Sequence, residues 1–374
     1  METVMENHVA NVPDTSGATL DNLTVLTGMH REEVRAWMQQ RGLPAFRGDQ
    51  VFSWIHRGRD FDEMTNLPLS MRETLKSSAV AQPVKISDSF HSRVDDTVKF
   101  LYEMRDGNCV EGVLMHYHHG YSLCISTQVG CNMGCAFCAS TLEGCVRSLS
   151  AGEMLGEVLC ANRYLEEKGE KVHNLVLMGA GEPLDNYDEV MRFLRLLREK
   201  GGIELSLRSV SLSTCGLVDR IRRLADEDLP VTLSLSLHAP NDEVRRKIMP
   251  IAKRWSMKEA LDACRYYIEK TGRRVIVEYA LIDGVNASVE QAEELAGKLR
   301  NMQVHVNLIP LNEVKERQLK GVSERQVRAF LERLEACHIS ATRRREMGDD
   351  IAGACGQLRR SVILSRGAEA GTSA

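Results

Sequence analysis

The sequence predicts an α/β fold: an open, partial (βα)6 barrel preceded by a mainly helical accessory domain. Two observations carry that reading. From residue 121 onward, short β-type runs alternate with longer amphipathic ones, the pattern of a parallel sheet with crossover helices. The pairs are 121–127 with 151–167, 174–178 with 187–199, 205–214 with 217–226, 231–237 with 258–270, 274–282 with 289–301, and 304–310 with 325–337. Six units rather than eight leave the barrel open. The second observation is that glycines and small polar residues gather just after the strands, at the end where such barrels place their chemistry.

In chain order, residues 1–20 carry three acids and neither lysine nor arginine, which reads as a disordered tail. Residues 21–105 form the accessory domain, with helical patterns at 31–40, 47–56 and 69–77 and strand-like runs at 84–90 and 97–103. Residues 106–345 make the barrel core, 346–366 a C-terminal segment, and 367–374 a second tail. Within 44–56, Phe46, Phe52 and Trp54 are interleaved with Arg47. This is either an amphipathic helix with its aromatics turned inward or a face for nucleic acid.

The 374 residues are 43% hydrophobic and 27% charged, ordinary for a globular protein. Forty-eight basic against 52 acidic residues leave a net charge of −4, so no global positive field advertises nucleic acid. A local basic face would suffice, and arginines group at Arg31/Arg35, at Arg41/Arg47/Arg57/Arg59, at Arg343/Arg344/Arg345 and at Arg359/Arg360. No apolar run approaches the ~18 residues of a membrane span, and the N-terminus lacks a basic-then-apolar leader. The expectation is a cytoplasmic protein with no membrane partner. There, eleven cysteines read as metal ligands or catalysts rather than disulfide staples. The first is Cys109, so cysteine chemistry belongs downstream of the accessory domain.

Cys131-Asn-Met-Gly-Cys135-Ala-Phe-Cys138 follows the first barrel strand. Three thiolates on one short loop suit three irons of a [4Fe–4S] cluster, leaving the fourth iron open. A zinc loop in a non-catalytic RNA-binding protein is the alternative; it needs a fourth ligand, and Cys145 and His116 stand at no knuckle spacing. Other strands exit into Met178-Gly-Ala-Gly181-Glu182-Pro183, Ser213-Thr-Cys215-Gly216, Ser236-Leu237-His238-Ala-Pro and Asn307-Leu-Ile-Pro-Leu-Asn312. Bare backbone at the glycines, with Glu182, Ser213 and Asn312, suits the amine and hydroxyl groups of an amino acid or nucleoside.

The cysteine triplet followed by Gly-Ala-Gly-Glu-Pro resembles the radical S-adenosylmethionine (SAM) enzymes. More narrowly, the chain is similar to the RlmN/Cfr family of RNA-adenine methyltransferases, in which RlmN acts at C2 and Cfr at C8. The shared pieces are Cys124-Ile-Ser-Thr-Gln-Val-Gly-Cys131, Gly181-Glu182-Pro183-Leu184, Leu235-Ser-Leu-His-Ala-Pro-Asn-Asp242, Val306-Asn-Leu-Ile-Pro310 and Gly348-Asp-Asp-Ile-Ala-Gly-Ala-Cys355-Gly-Gln-Leu358. The likeness runs from about residue 44 to 358, and the sequence after Glu182 sits nearer the C2 branch. Ala180 and Cys215 depart from the residues common there, Met or Thr and Ser.

The resemblance implies a partial (βα)6 radical SAM barrel, with a [4Fe–4S] cluster on Cys131, Cys135 and Cys138 and SAM bound by Gly181, Glu182, Ser213, Ser236, Leu237, His238 and Asn312. Two SAM molecules are consumed per turnover. It further implies that Cys355 becomes S-methylcysteine, that Cys124 removes the adenine proton and closes a transient disulfide with Cys355, and that Glu111 serves as proton acceptor. Implied partners are 23S rRNA at the peptidyl-transferase centre, tRNA at the adenine beside the anticodon, a flavodoxin-like electron donor and a disulfide reductant, for a monomeric enzyme.

Overall fold

A computed structural model describes residues 23–358. The two expected tails, the Arg359/Arg360 pair and the end of the C-terminal segment lie outside the described residues. The N-terminal piece comprises β1 (Thr24–Val25), α1 (Arg31–Gln40), α2 (Ala45–Ile55), α3 (Leu69–Ser78) and β2 (Ala79–Val80), with β1 and β2 paired in parallel. Val34, Trp37, Met38, Val51, Phe52, Ile55 and Phe61 bury one another in a core of its own, which ends at Ala81. Of the interleaved aromatics, Phe52 turns inward and Trp54 donates its indole N–H to Asn66, while Phe46 is 59% exposed.

The strands β3 (Val84–His91), β4 (Val98–Met104) and β5 (Cys109–Tyr117) run antiparallel into β6 (Gly120–Ile125). The hairpin β7 (Gln128–Gly130) and β8 (Cys145–Ser148) follows, then α4 (Ala151–Leu165). Next come β9 (Val172–Leu177), α5 (Tyr187–Leu197), β10 (Val210–Thr214), α6 (Val218–Ala225) and β11 (Thr232–Ser236). The chain continues through α7 (Asp242–Ile248), α8 (Met257–Thr271), β12 (Val275–Leu281), α9 (Val289–Leu299), β13 (Val304–Pro310), α10 (Glu324–Ala336) and β14 (Ala341–Arg343).

Ten strands form one sheet in the order β14-β13-β12-β11-β10-β9-β6-β5-β4-β3. From β6 to β14 every neighbour is parallel, giving the expected six βα units plus a seventh strand. That strand escapes a sequence reading because three residues with an arginine at the end show no apolar alternation. Strands β3 and β4, expected with the helical piece, are hydrogen-bonded into the barrel sheet, and Val84 and Val98 join the barrel's core. Four crossover helices start at a Ser followed three residues later by Glu or Gln: Ser150/Glu153, Ser256/Glu259, Ser288/Gln291 and Ser323/Gln326. Each pair satisfies two amide donors that the first turn leaves free.

The helical piece is fixed to the barrel by an ion pair between Glu63 and Arg163 at 2.8 Å and by a hydrogen bond between His30 Nδ1 and Glu199 at 2.6 Å. Between them His56 is buried with neither ring nitrogen partnered, and burial pulls its pKa down to about 3. An unfolded histidine takes up its proton near pH 6.5, whereas the folded one does not. Below that pH the unfolded state therefore binds more protons, and folding stability falls as pH drops from about 6.5 toward 3. His56→Leu should flatten this slope by up to about 1.4 kcal/mol per pH unit, read from urea denaturation between pH 6.5 and 4.5. An unchanged slope would mean that His56 is protonated in the fold.

Candidate active site

The cysteine loop leaves β7 at Gly130, whose φ of +80° favours glycine. A Cβ there would stand 1.9 Å from the Gly144 carbonyl oxygen, because the β7–β8 hairpin closes directly over it. The Cys131 N–H then donates to Gly144 at 3.1 Å and the Ala136 N–H to Ile248, at the end of α7, at 2.8 Å. Thr141 Oγ1 donates toward the carbonyls of Cys135 and Cys138 at 3.2 and 3.0 Å. Cys131 and Cys135 are buried, Cys138 half-buried, and all three line one cavity at the C-terminal ends of the strands. Burial pushes the Cys131 thiol up to about 12 and raises Cys135 and Cys138 as well, the neighbouring thiols adding to the rise for Cys131 and Cys135. Among the described residues, no three Cys, His, Asp or Glu side chains are placed to hold a single ion. Three thiols about a shared cavity instead suit a cluster in which each sulfur serves a different iron.

The opposite wall comes from the strand ends. Gly181, Glu182, Ser213, Ser236, His238 and Asn312 all line the cavity, as the sequence suggested. Gly181 has a φ of +105°, and a Cβ on it would meet the Gln128 amide nitrogen at 2.8 Å. Glu182 accepts the Cys215 N–H at 2.8 Å and the Leu184 N–H at 3.1 Å; burial raises its pKa against those donors. The Ser213 and Ser236 hydroxyls stand 3.2 Å apart. His238 accepts the Ala280 N–H on Nδ1 at 2.9 Å, which puts the ring proton on Nε2, and burial pulls its pKa to about 3. It is a neutral wall residue, edge-on to Phe137. Leu237 departs from expectation. Its side chain is fully buried in the main core, since alternation after Ser236 turns it away from the cavity.

Cys355 lines the same cavity from a loop, and Asn312 Nδ2 donates to its carbonyl at 3.2 Å. Cys124 lies one layer behind, on β6, among Val113, Met115, Met347 and Leu358. Burial pushes its thiol up to about 12; the nearby Cys355 adds to that rise and Arg344 opposes it. Arg344 is the residue sequence reading misplaced. Read with a surface basic run, it turns into the cavity, 3.9 Å from Glu278 and beside Met178, and its pKa is raised, most by the neighbouring Cys355 and then by Glu278 and Cys124, against burial. Alternation separates it from Arg343, which pairs with Glu324 at the surface. Glu278, whose pKa burial raises, was also missed; nothing in the run 274–282 distinguishes a cavity-facing acid from a solvated one. Glu111 is buried but is not part of the cavity wall, and Lys99 Nζ stands 3.2 Å from its carboxylate.

Residues 125–297 match the family model of the Radical SAM superfamily, and residues 24–81 that of the Ribosomal RNA large subunit methyltransferase N-terminal domain. Over 338 residues the chain is 50% identical to a probable dual-specificity RNA methyltransferase RlmN of Clostridium perfringens, covering 90% of this chain and 96% of that one. A probable dual-specificity RNA methyltransferase RlmN of Clostridium beijerinckii is 50% identical over 333 residues, covering 89% and 94%. The crystal structure of a radical SAM methyltransferase from Sphaerobacter thermophilus superposes with a TM-score of 0.88 at 41% identity, covering 90% of this chain and 99% of that one. The radical SAM match spans all three loop cysteines and sets aside the zinc-loop alternative.

Gly130→Ala should leave the barrel folded but unable to close the hairpin over the loop. Iron per chain after anaerobic reconstitution should fall to less than about half of the wild-type value, because a Cβ contact this short forces backbone to move. Full iron content would show that the hairpin does not set the loop.

Proposed function

We infer that this chain, which belongs to the RlmN family of radical SAM RNA methyltransferases, methylates C2 of an adenine in the peptidyl-transferase centre of 23S rRNA and of the adenine beside the tRNA anticodon. The observation that carries this reading is the convergence of Cys355, from the end of the described chain, on the cavity of loop cysteines, with Cys124 directly behind it. Cys131, Cys135 and Cys138 would hold the cluster and the strand-end residues would hold SAM, which together would supply one-electron cleavage of SAM to a carbon radical.

The chain's own residues perform the transfer. Adenine C2 is electron-poor and offers no nucleophile to a methyl sulfonium, so a protein sulfur carries the carbon. Cys355 takes a methyl group from one SAM by displacement. One hydrogen atom of that methyl group would pass to the carbon radical from a second SAM, the methylene left on the Cys355 sulfur bonds to C2, the adduct gives one electron back to the cluster that supplied it, and Cys124 takes the C2 proton. The Cys124 sulfur bonds to the Cys355 sulfur as the sulfur–carbon bond breaks, the proton that Cys124 held passes to the released methylene carbon to complete the methyl group on adenine, and an external dithiol reopens the disulfide. Arg344 stands near both sulfurs and favours the Cys124 thiolate against the burial that raises its pKa.

The RNA would be gripped by the helical piece. Arg41, Arg47 and Arg57 lie over the rings of Trp37, Phe46 and Trp54 at 3.9, 5.1 and 5.8 Å; Trp37 belongs to the core, while Phe46 is exposed and Trp54 half-buried, so Arg47 and Arg57 give the mixture of cation and accessible aromatic that holds unstacked nucleotides. By contrast Arg31 and Arg59 are engaged by Asp49 and Glu63, at 2.8 and 3.3 Å, and Arg35 by Glu32 and Asp49. Modifying a base edge requires extruding that base into the cavity, so a second gripping surface is expected.

Cys355→Ala should give no methylated RNA. Cys124→Ala should still load and activate Cys355 but stall, with the protein covalently joined to RNA through Cys355. A denaturing gel with labelled RNA, followed by peptide mass spectrometry of the shifted band, separates the two. Wild-type product should be 2-methyladenosine by nucleoside mass spectrometry. Turnover by Cys124→Ala, or 8-methyladenosine from the wild type, would contradict the reading.

A further inference from the structure

We propose that Lys99 is a positioning residue of the methyl transfer: it ties the Glu111 carboxylate to the loop that carries Cys355 and holds Cys355 where it receives its methyl group. The proposal rests on the reading of Cys355 as methyl acceptor.

The sheet register sets the arrangement. Lys99 on β4 stands opposite Val113 on β5, Val113 opposite Cys124 on β6, and Cys124 opposite Val176 on β9. Directly opposed residues share a sheet face, so Lys99 and Cys124 belong to one row on the same face. Glu111, opposite Leu101, is the diagonal neighbour of Lys99 on that face. Both side chains of the pair are enclosed, at 10% and 2% exposure, with the ammonium 3.2 Å from the carboxylate. The ammonium lies 5.1 Å from the centre of the Phe90 ring and also donates, over 3.4 Å, to the Ala352 carbonyl.

The loop explains why that last contact matters. Its first turn is held by the β3–β4 hairpin: Asp95 accepts the Gly348 N–H at 3.1 Å, and Asp350 accepts the Ser92 hydroxyl and the Arg93 N–H at 2.7 and 2.8 Å. Its far end is held by the cysteine loop, through Gly356 and Leu358. Between these anchors, the carbonyls of Ala352 and Cys355 are taken by Lys99 and Asn312. Ala352 has a φ of +49°, a left-handed conformation that alanine adopts only under restraint. Lysine suits a contact that must be made and released, since its three donors let it keep Glu111 while letting the loop go. A well-packed apolar pair would serve stability equally well.

The test uses the full-length, reconstituted enzyme as wild type, Lys99→Arg, Lys99→Met and the double variant Lys99→Met/Glu111→Gln. The last leaves no unpaired buried carboxylate, so it remains informative if Lys99→Met folds poorly. Three readouts are taken: iron content, S-methylation of Cys355 by peptide mass spectrometry against time, and hydrogen exchange of residues 348–358. Both Met variants should retain iron but methylate Cys355 about tenfold more slowly, the loss of one charge-assisted hydrogen bond, with faster exchange confined to 348–358. Lys99→Arg should stay within about threefold of wild type. Wild-type methylation and loop exchange in both Met variants would overturn the proposal, as would faster exchange spread evenly over the sheet. If the wild type itself never carries S-methylcysteine at Cys355, the acceptor reading fails, and the proposal with it.

Discussion

Two hydrogen bonds return the end of the described chain to the cysteine loop: the Ala139 N–H donates to the Gly356 carbonyl at 2.8 Å and the Ser140 hydroxyl to Leu358 at 2.9 Å. The rest of the site depends on that return. Residues 348–358 are short, glycine-rich and without a core of their own, so their position is fixed by what they dock onto. Docked, they place Cys355 on the cavity wall, set Met347 and Leu358 over Cys124, and give Asn312 a carbonyl to hold. Undocked, the cavity would lose Cys355 and Cys124 part of its cover. Several weak bonds rather than a sheet hold the segment that carries Cys355.

Burial then sets the electrostatics. Cys124 and Cys131 are each pushed up to about 12, so the enclosed thiols resist ionisation in the absence of a metal or a cation. Among the described residues, Arg344 is the cation lining the cavity, and it stands by Cys124 and Cys355. Family membership accounts for the triplet; Arg344 is the cation beside Cys124, which is buried, and Cys355, which is half-buried.

Much of this was legible in the sequence. The six βα units were readable because fully buried parallel strands and amphipathic helices differ in period, and the Ser-x-x-Glu/Gln boxes mark where four of the helices start. The cavity wall was readable because glycines and short polar residues cluster only where strands exit. What the sequence did not show had no local signal. Arg344 looks like its neighbours until β14 pairs with β13 and turns it inward. Leu237 sits inside a functional motif, yet alternation gives it to the core. Glu111 reads as one carboxylate on a strand, and its partner Lys99 lies twelve residues earlier on an adjacent strand. Strands 84–91 and 98–104 were readable as strands, but their allegiance to the barrel is a matter of pairing, which a single segment does not encode.

If Cys124 and Cys355 form one reactive pair, thiol–disulfide exchange measures it directly. Reconstituted enzyme treated anaerobically with a mild disulfide oxidant should yield a single dominant crosslinked peptide joining Cys124 to Cys355, with the loop cysteines protected by their cluster. Loss of the crosslink in Lys99→Met would tie it to loop position. A dominant link from Cys355 to any other cysteine, or unlinked Cys124 after full oxidation of Cys355, would contradict the account.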